Sequence, residues 1–418
     1  MSAPRTTVAG WITERLGLDR FGAKYLGKPF PEHPTFFLGE IALFCFVVLV
    51  GTGMYLALFY EPSAAPVTGG AGPMPAAYAS IVAIDSHPFG ALVRRMHHWA
   101  AQLMIASVVL HLLRIYFTAS YRKPREVNWL LGLGLLGATI GASFAGYLLP
   151  YDQFSVTATA IGYGIARSIP WIGPTVADYG FAGQFPSASS VPRFFAYHVV
   201  WAPLTLAGLI ALHLVILLKQ KHTEPAAARA SRAPEHAHLI EGVPLWPQQA
   251  SLMAVLLLIV IAMTALLSAF LPVHPTELYG PPSPITPEVK PDWYLLWVYG
   301  ALRLIPGDLS VRFLGTTIGS EAIGAMFIPG LIGLVIVLVP WLDRGKSSLY
   351  FAESATASPR RLAFGLAAIT LFLALSLAGF GGELGLGVPV LWVITLATPL
   401  VVWWGAYLLA GGRRLGGA

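Results

Sequence analysis

Cysteine occurs once in 418 residues, as Cys45. A single thiol rules out an intrachain disulfide, a cysteine-ligated iron–sulfur cluster and a CxxCH haem attachment, so any haem here is held noncovalently. Charge is also scarce, with 11% of residues charged against 56% hydrophobic and a mean hydropathy of +0.67. That balance lies outside the range of soluble globular domains. The formal charge of +6 is too small and too dispersed to suggest nucleic acid as a partner. No internal repeat stands out.

What the chain does contain is apolar runs long enough to cross a hydrocarbon core, which takes about 20 residues at ~1.5 Å each. Eight are read, at 36–60, 92–118, 129–150, 194–218, 248–271, 323–342, 362–380 and 388–410. The expected fold is an all-α integral membrane protein with eight transmembrane helices. Its organisation divides into a cytoplasmic N-terminal segment (1–35), a four-helix bundle (36–218), a flexible polar linker (219–247), a C-terminal membrane domain (248–410) and a tail (411–418). The first run comes too late and is too long for a cleaved signal peptide, so the first helix is expected to stay.

Shorter amphipathic stretches flank these spans. Residues 7–26, with Trp11, Ile12, Leu16, Leu18 and Phe21 among Arg15, Asp19 and Arg20, read as a surface helix on the inner side. Residues 153–172, ending at Pro170-Trp171, read as short helices along the outer interface. A Pro-rich external segment runs from Pro272 to Pro291. With the N-terminus in the cytoplasm, eighteen Lys/Arg fall on the inner side and seven outside, leaving Arg114 within a span. Both termini are therefore expected to be cytoplasmic.

Ligand side chains inside a span are costly and by default functional, which singles out His97, His111, His198 and His213. His97 and His111 are fourteen residues apart on span two, about 40° from eclipsed and ~21 Å apart along the axis. His198 and His213 are fifteen apart on span four, which gives about 60° of offset and ~22 Å of rise. Both spans start at the outer face, so His97 shares an outer depth with His198 and His111 an inner depth with His213. Two imidazoles at one depth supply both axial ligands of a b-type haem. Zinc fits poorly, because no Cys, Asp or Glu accompanies either pair. A single intramembrane histidine also serves as a buried hydrogen-bond partner or proton relay, but matched pairs point to haem iron. His98 points ~140° away from His111 and is assigned to the interface.

Gly39 and Gly53 on span one, and Gly132 and Gly146 on span three, are also fourteen apart. A residue without Cβ lets a flat macrocycle approach the backbone, although small residues pack membrane helices in general. Arg94 lies three residues before His97 and Arg114 three after His111. Each is within reach of a haem propionate.

The stretches RRMHHWAAQLMIASVVLHLLRIYFTASYRKPRE, GYLLPYDQ and Pro291-Asp292-Trp293-Tyr294 resemble the cytochrome b family of respiratory bc and photosynthetic bf complexes, over nearly the whole chain. HHWAA followed by YRKPREVNW is most similar to the actinobacterial menaquinol-type branch. The resemblance implies that His97 and His198 hold a low-potential outer haem b and His111 and His213 a high-potential inner one. It implies an outer quinol-oxidising pocket built from GYLLPYDQ, with Tyr147 and Pro150, the helices of 153–172 and the Pro291, Asp292, Trp293, Tyr294 tetrapeptide. The acidic position is usually Glu in that family, so Asp292 shortens the proton-accepting arm by one methylene. The bf branch attaches a further haem through a Cys near the start of span one, where this chain has Phe37; Cys45 lies about two turns deeper, and no covalent haem is expected.

The function so implied is quinol:cytochrome c reduction by a Q cycle. Quinol, of the menaquinol type, is oxidised outside. One electron goes to a Rieske iron–sulfur subunit and the other passes through two haems to a quinone near the cytoplasm. Expected partners are that Rieske subunit, a cytochrome c subunit (c or diheme cc), a second copy of the complex, a terminal oxidase in a supercomplex, and membrane lipid, all at the bacterial plasma membrane. Lys219, Lys221 and His222 are candidates for proton delivery inside, beside the simpler reading of positive-inside anchors. Two other classes compete: a diheme anchor of a formate dehydrogenase or hydrogenase, with fewer spans and no PDWY segment, and a histidine-relay transporter, with no haem absorption.

Overall fold

The computed structural model describes residues 7–16, 26, 27, 29–31, 33–69, 72–225, 227, 228, 241–273, 280, 289–343, 345 and 351–415. Among them, eight helices are long and apolar enough to cross a membrane. The expected runs account for all eight. A short helix α1, Val8–Leu16, precedes them; Leu18 and Phe21, expected in the same helix, lie outside the described residues. The first span is α2 (Phe37–Ala57), entered through a 3-10 turn at Pro34–Phe36. After α3 (Ala76–Ser86) come the second and third spans, α4 (Pro88–Phe117) and α5 (Glu126–Tyr147). Two short helices, α6 (Gln153–Arg167) and α7 (Gly173–Phe181), lead to the fourth span α8, Ser190–Gln220.

The second half comprises α9 (Leu245–Phe270), the short α10 (Trp293–Leu304), α11 (Ser320–Leu342), α12 (Pro359–Gly379) and α13 (Val388–Leu415). Helix α2 packs along α4 and α5 along α8, while α9 lies against α4; α12 is sandwiched between α10 and α13. Proline opens several helices: Pro88 and Pro359 occupy the first helical position, where a missing N–H costs nothing and φ is already helical. Much of the large apolar surface is exposed, for example Leu58, Leu204 and Leu400, as lipid-facing surface must be.

Among the described residues the pairing of strands is sparse. Hairpins join Pro66–Gly69 to Gly72–Pro75 and Ser310–Phe313 to Thr316–Gly319, and Pro29–Phe30 pairs with Val243–Pro244. That last pairing qualifies the expectation of a loose 219–247 linker, since its far end is anchored. Its near end is anchored too: Thr223 and Glu224 are buried, and the Ala352 N–H donates to the Glu224 carbonyl at 2.7 Å.

Beyond the end of α4 that carries His111, a charge cluster joins the halves. Arg122, between α4 and α5, reaches Asp343 at 2.6 Å and Glu353 at 2.5 Å. Arg361 approaches Glu353 at 2.8 Å, and the Tyr121 hydroxyl donates to Asp343 at 2.5 Å. Burial of Asp343 works against its charge, but the hydrogen bonds from Arg122 and Tyr121 and the nearby guanidinium charges outweigh it and hold the carboxyl below its ordinary value. A depressed folded-state pKa adds stability above the ordinary carboxylate value, here 3.8, and that contribution is lost as pH falls below it. Asp343→Asn is expected to lower the thermal midpoint of the solubilised protein by roughly 2–4 °C at neutral pH, with variant and parent converging in acid. Equal midpoints at pH 7 would contradict the clamp.

Candidate cofactor and substrate sites

At the outer level the rings of His97 on α4 and His198 on α8 face each other, centroids 5.9 Å apart. Their partners set their protonation. His198 Nδ1 lies 2.8 Å from the Ala142 carbonyl oxygen, which only accepts, so Nδ1 carries the proton. The Thr52 hydroxyl already donates to the Val48 carbonyl at 2.7 Å, leaving its oxygen to accept from His97 Nδ1 at 2.9 Å. Both imidazoles therefore leave Nε2 unprotonated, the form that binds a metal.

At the inner level His111 and His213 line one cavity of about 230 Å³. Its polar end holds Glu40, Arg114, Arg125 and Asn128. Buried His111 Nδ1, Arg114 Nε and Asn128 Oδ1 have no hydrogen-bond partner there. Unpartnered buried polar atoms are costly; the unpartnered Arg114 N–H suits a ligand that brings an acidic group of its own, whereas Asn128 Oδ1 calls for a donor. The Arg114 guanidinium also lies over the Phe36 ring, 4.2 Å from its centroid.

Each expected glycine abuts one histidine. A Cβ would lie 3.3 Å from His111 Cε1 at Gly39, 3.2 Å from His97 Cε1 at Gly53, 3.9 Å from His213 Cε1 at Gly132 and 2.6 Å from His198 Cε1 at Gly146. The backbone thus makes room for the imidazoles themselves, most tightly at Gly146.

The unequal histidine spacings also find a physical reason. Tyr197–Trp201, which contains His198, is a π turn within α8. A π turn absorbs one residue beyond an α turn, so the fifteen-residue interval to His213 rotates about as far as the fourteen-residue interval on α4. Nothing in the residues announces that insertion.

A second cavity of about 360 Å³ borders α5 at Phe144 and Tyr147, either side of the Gly146 that abuts His198. Tyr147, Pro291, Asp292 and Tyr294 line it, with Phe144, Ile161 and Leu295; Trp293 and Pro150 do not. Asp292 Oδ2 accepts from Gln102 Nε2 at 2.9 Å and from the Tyr294 hydroxyl at 3.2 Å, and Tyr294 also bonds Ser143. Gln102, Thr52 and Ser143 were not among the expected residues, although each is a polar side chain in an apolar span, the signal that exposed the histidines.

Two expectations change on inspection. Arg94 is held by Asp85 through two bonds of 2.6 and 2.5 Å, so Arg114 alone of the two arginines presents an uncommitted N–H inward. Of the inner proton-delivery candidates, Lys221 and His222 line the inner cavity and Lys219 does not. His98 packs against Trp99, and Cys45 is buried among Ala42, Val48, Ala100, Met104 and Val260.

Residues 102–281 match the family described as cytochrome b(N-terminal)/b6/petB, and residues 282–398 match cytochrome b(C-terminal)/b6/petD. A Streptomyces coelicolor protein named cytochrome bc1 complex cytochrome b subunit is 32% identical over 386 residues, spanning 89% of this chain and 70% of its own. Its Mycobacterium leprae namesake is 34% identical over 379 residues, spanning 87% of this chain and 67% of its own. A solved chain from a hyperthermophilic respiratory complex III covers 96% of this chain with a TM-score of 0.70 at 24% identity, a likeness of fold. An eight-span helical membrane protein with paired intramembrane histidines is thereby placed in a class of electron-carrying membrane cytochromes. The chain belongs to the cytochrome b family of bc1-type quinol:cytochrome c oxidoreductases, a haem b-binding, multi-pass subunit of a bacterial plasma-membrane complex.

With the four imidazoles as candidate iron ligands, Gly146→Ala is expected to displace His198 and reduce haem b content in the reduced-minus-oxidised spectrum. Gly132→Ala, which meets only ordinary contact at 3.9 Å, is expected to leave that spectrum unchanged. Equal effects of the two substitutions would argue against this geometry.

Proposed function

We propose that this subunit oxidises quinol in the outer cavity and supports quinone reduction in the inner one, with the two histidine pairs holding one b-type haem each. The observation that carries the reading is that the inner pair lines one cavity, while the outer pair, its rings facing each other, abuts through Gly146 the stretch of α5 whose Phe144 and Tyr147 line the other. His97 and His198 would hold the outer haem, His111 and His213 the inner, and the Arg114 guanidinium would meet an inner propionate. When bound, a haem held by two imidazoles would supply one-electron transfer.

The protein's own groups do the rest. Phe144, Tyr147, Ile161 and Leu295 give the outer cavity an apolar wall that excludes water. Asp292 stands at its edge as the acceptor of a quinol hydroxyl proton, oriented by Gln102 and Tyr294. Of the two electrons released by each quinol, one goes to a Rieske iron–sulfur partner and the other passes inward, so that two such oxidations supply the two electrons that reduce one quinone inside. There Lys221 and His222 line the cavity's cytoplasmic end and supply protons. Resemblance to the actinobacterial branch favours menaquinol as substrate, and the excess of inner Lys/Arg favours cytoplasmic termini. A cytochrome c subunit, a dimeric complex and association with a terminal oxidase complete the assembly proposed.

His111→Leu is expected to remove the inner haem alone, leaving quinol oxidation without reduction of an inner quinone; two b-type transitions retained in a redox titration would refute it. Asp292→Asn should slow quinol-dependent cytochrome c reduction by the isolated complex at least about tenfold with both haem spectra intact. An unaltered rate would remove Asp292 from its role.

A further inference from the structure

We infer that Gln102 is a positioning residue of the outer site: its side-chain amide, reaching from α4, aims the Asp292 carboxylate. This rests on the reading of Asp292 as the carboxylate of the quinol cavity. Gln102 lies five residues past His97 in an otherwise apolar stretch. Several other polar side chains in these spans satisfy themselves locally. Ser107, Thr139 and Thr264 each donate to the carbonyl one turn back on their own helix. Gln102 does not: it spans to a segment 190 residues away in sequence, donating from Nε2 to Asp292 Oδ2 at 2.9 Å.

The orientation of the amide follows from its partners. Trp293 Nε1 donates to Gln102 Oε1 at 3.0 Å, and an indole N–H has no acceptor capacity. The amide oxygen therefore belongs to Trp293 and the NH2 group to Asp292, with no freedom to flip. Trp293 itself does not line the cavity, so its part is to hold Gln102. The Tyr294 hydroxyl donates to the same carboxylate oxygen at 3.2 Å. Two donors thus share Oδ2, and among the described residues no hydrogen bond engages Oδ1, which remains for substrate. Because α4 also carries His97, one rigid helix sets both the depth of the outer imidazole and the aim of the carboxylate. Proton acceptor and electron route are referenced to a single element.

The experiment uses the purified complex with Gln102→Leu, Gln102→Asn, Asp292→Asn and the Gln102→Leu/Asp292→Asn double variant. Quinol-dependent cytochrome c reduction is measured for kcat and KM, alongside haem b spectra. Gln102→Leu is expected to lower kcat on the order of tenfold with KM within about twofold and the haem signals intact. In the Asp292→Asn background the same change should add less than about twofold. Gln102→Asn, which keeps the amide one methylene short, should fall between parent and Leu variant, and carries the test if the Leu variant fails to assemble. An unchanged kcat, or the same loss in both backgrounds, overturns the assignment. If Asp292→Asn slows turnover while Gln102→Leu does not, only the positioning role falls; if Asp292→Asn is itself without effect, the reading of the cavity falls with it.

Discussion

An imidazole inside a bilayer has no water to orient it, so the protein must fix its tautomer and its direction with other protein groups. Thr52 and the Ala142 carbonyl do this for the outer pair. The remaining architecture follows from that requirement. Helices α4 and α8 must present their histidines to one another at matching depths, α2 and α5 must thin to glycine where the rings stand, and α8 must take up its extra residue in a π turn. The second half of the chain then closes the outer cavity with α10.

The spans and histidines were legible in the residues because a bilayer makes polarity conspicuous. All eight runs correspond to helices, though several begin earlier than their apolar content suggests: α4 starts at Pro88 and α5 at Glu126. The start of α5 carries the charge of Glu126, and that of α4 opens on proline and glycine, so neither advertises itself by hydropathy. Helices α3 and α10 and the two hairpins were missed for a related reason. They are short, or flanked by proline, and too brief for periodicity to register.

Contacts between distant segments were the least legible part. Arg94 lies one turn from His97, and only the fold reveals that Asp85, at the end of the preceding helix, takes it first. Gln102 has no counterpart at a matching depth to mark it out as the histidines have; its partners Asp292 and Trp293 come together with it only when the halves pack. The π turn is a single residue's difference in spacing. Depth and type of side chain are written along the chain, whereas the choice among several reachable partners is decided by packing.

The cluster of Arg122, Arg361, Asp343, Glu353 and Tyr121 bears on how the molecule coheres. It fastens the loop after α4 to the segments that end α11 and begin α12, without using the peptide connection that runs through 219–247. The two membrane halves are therefore stapled from below by electrostatics as well as by covalent continuity. The contact between the halves at this end therefore does not depend on the connection through 219–247 alone.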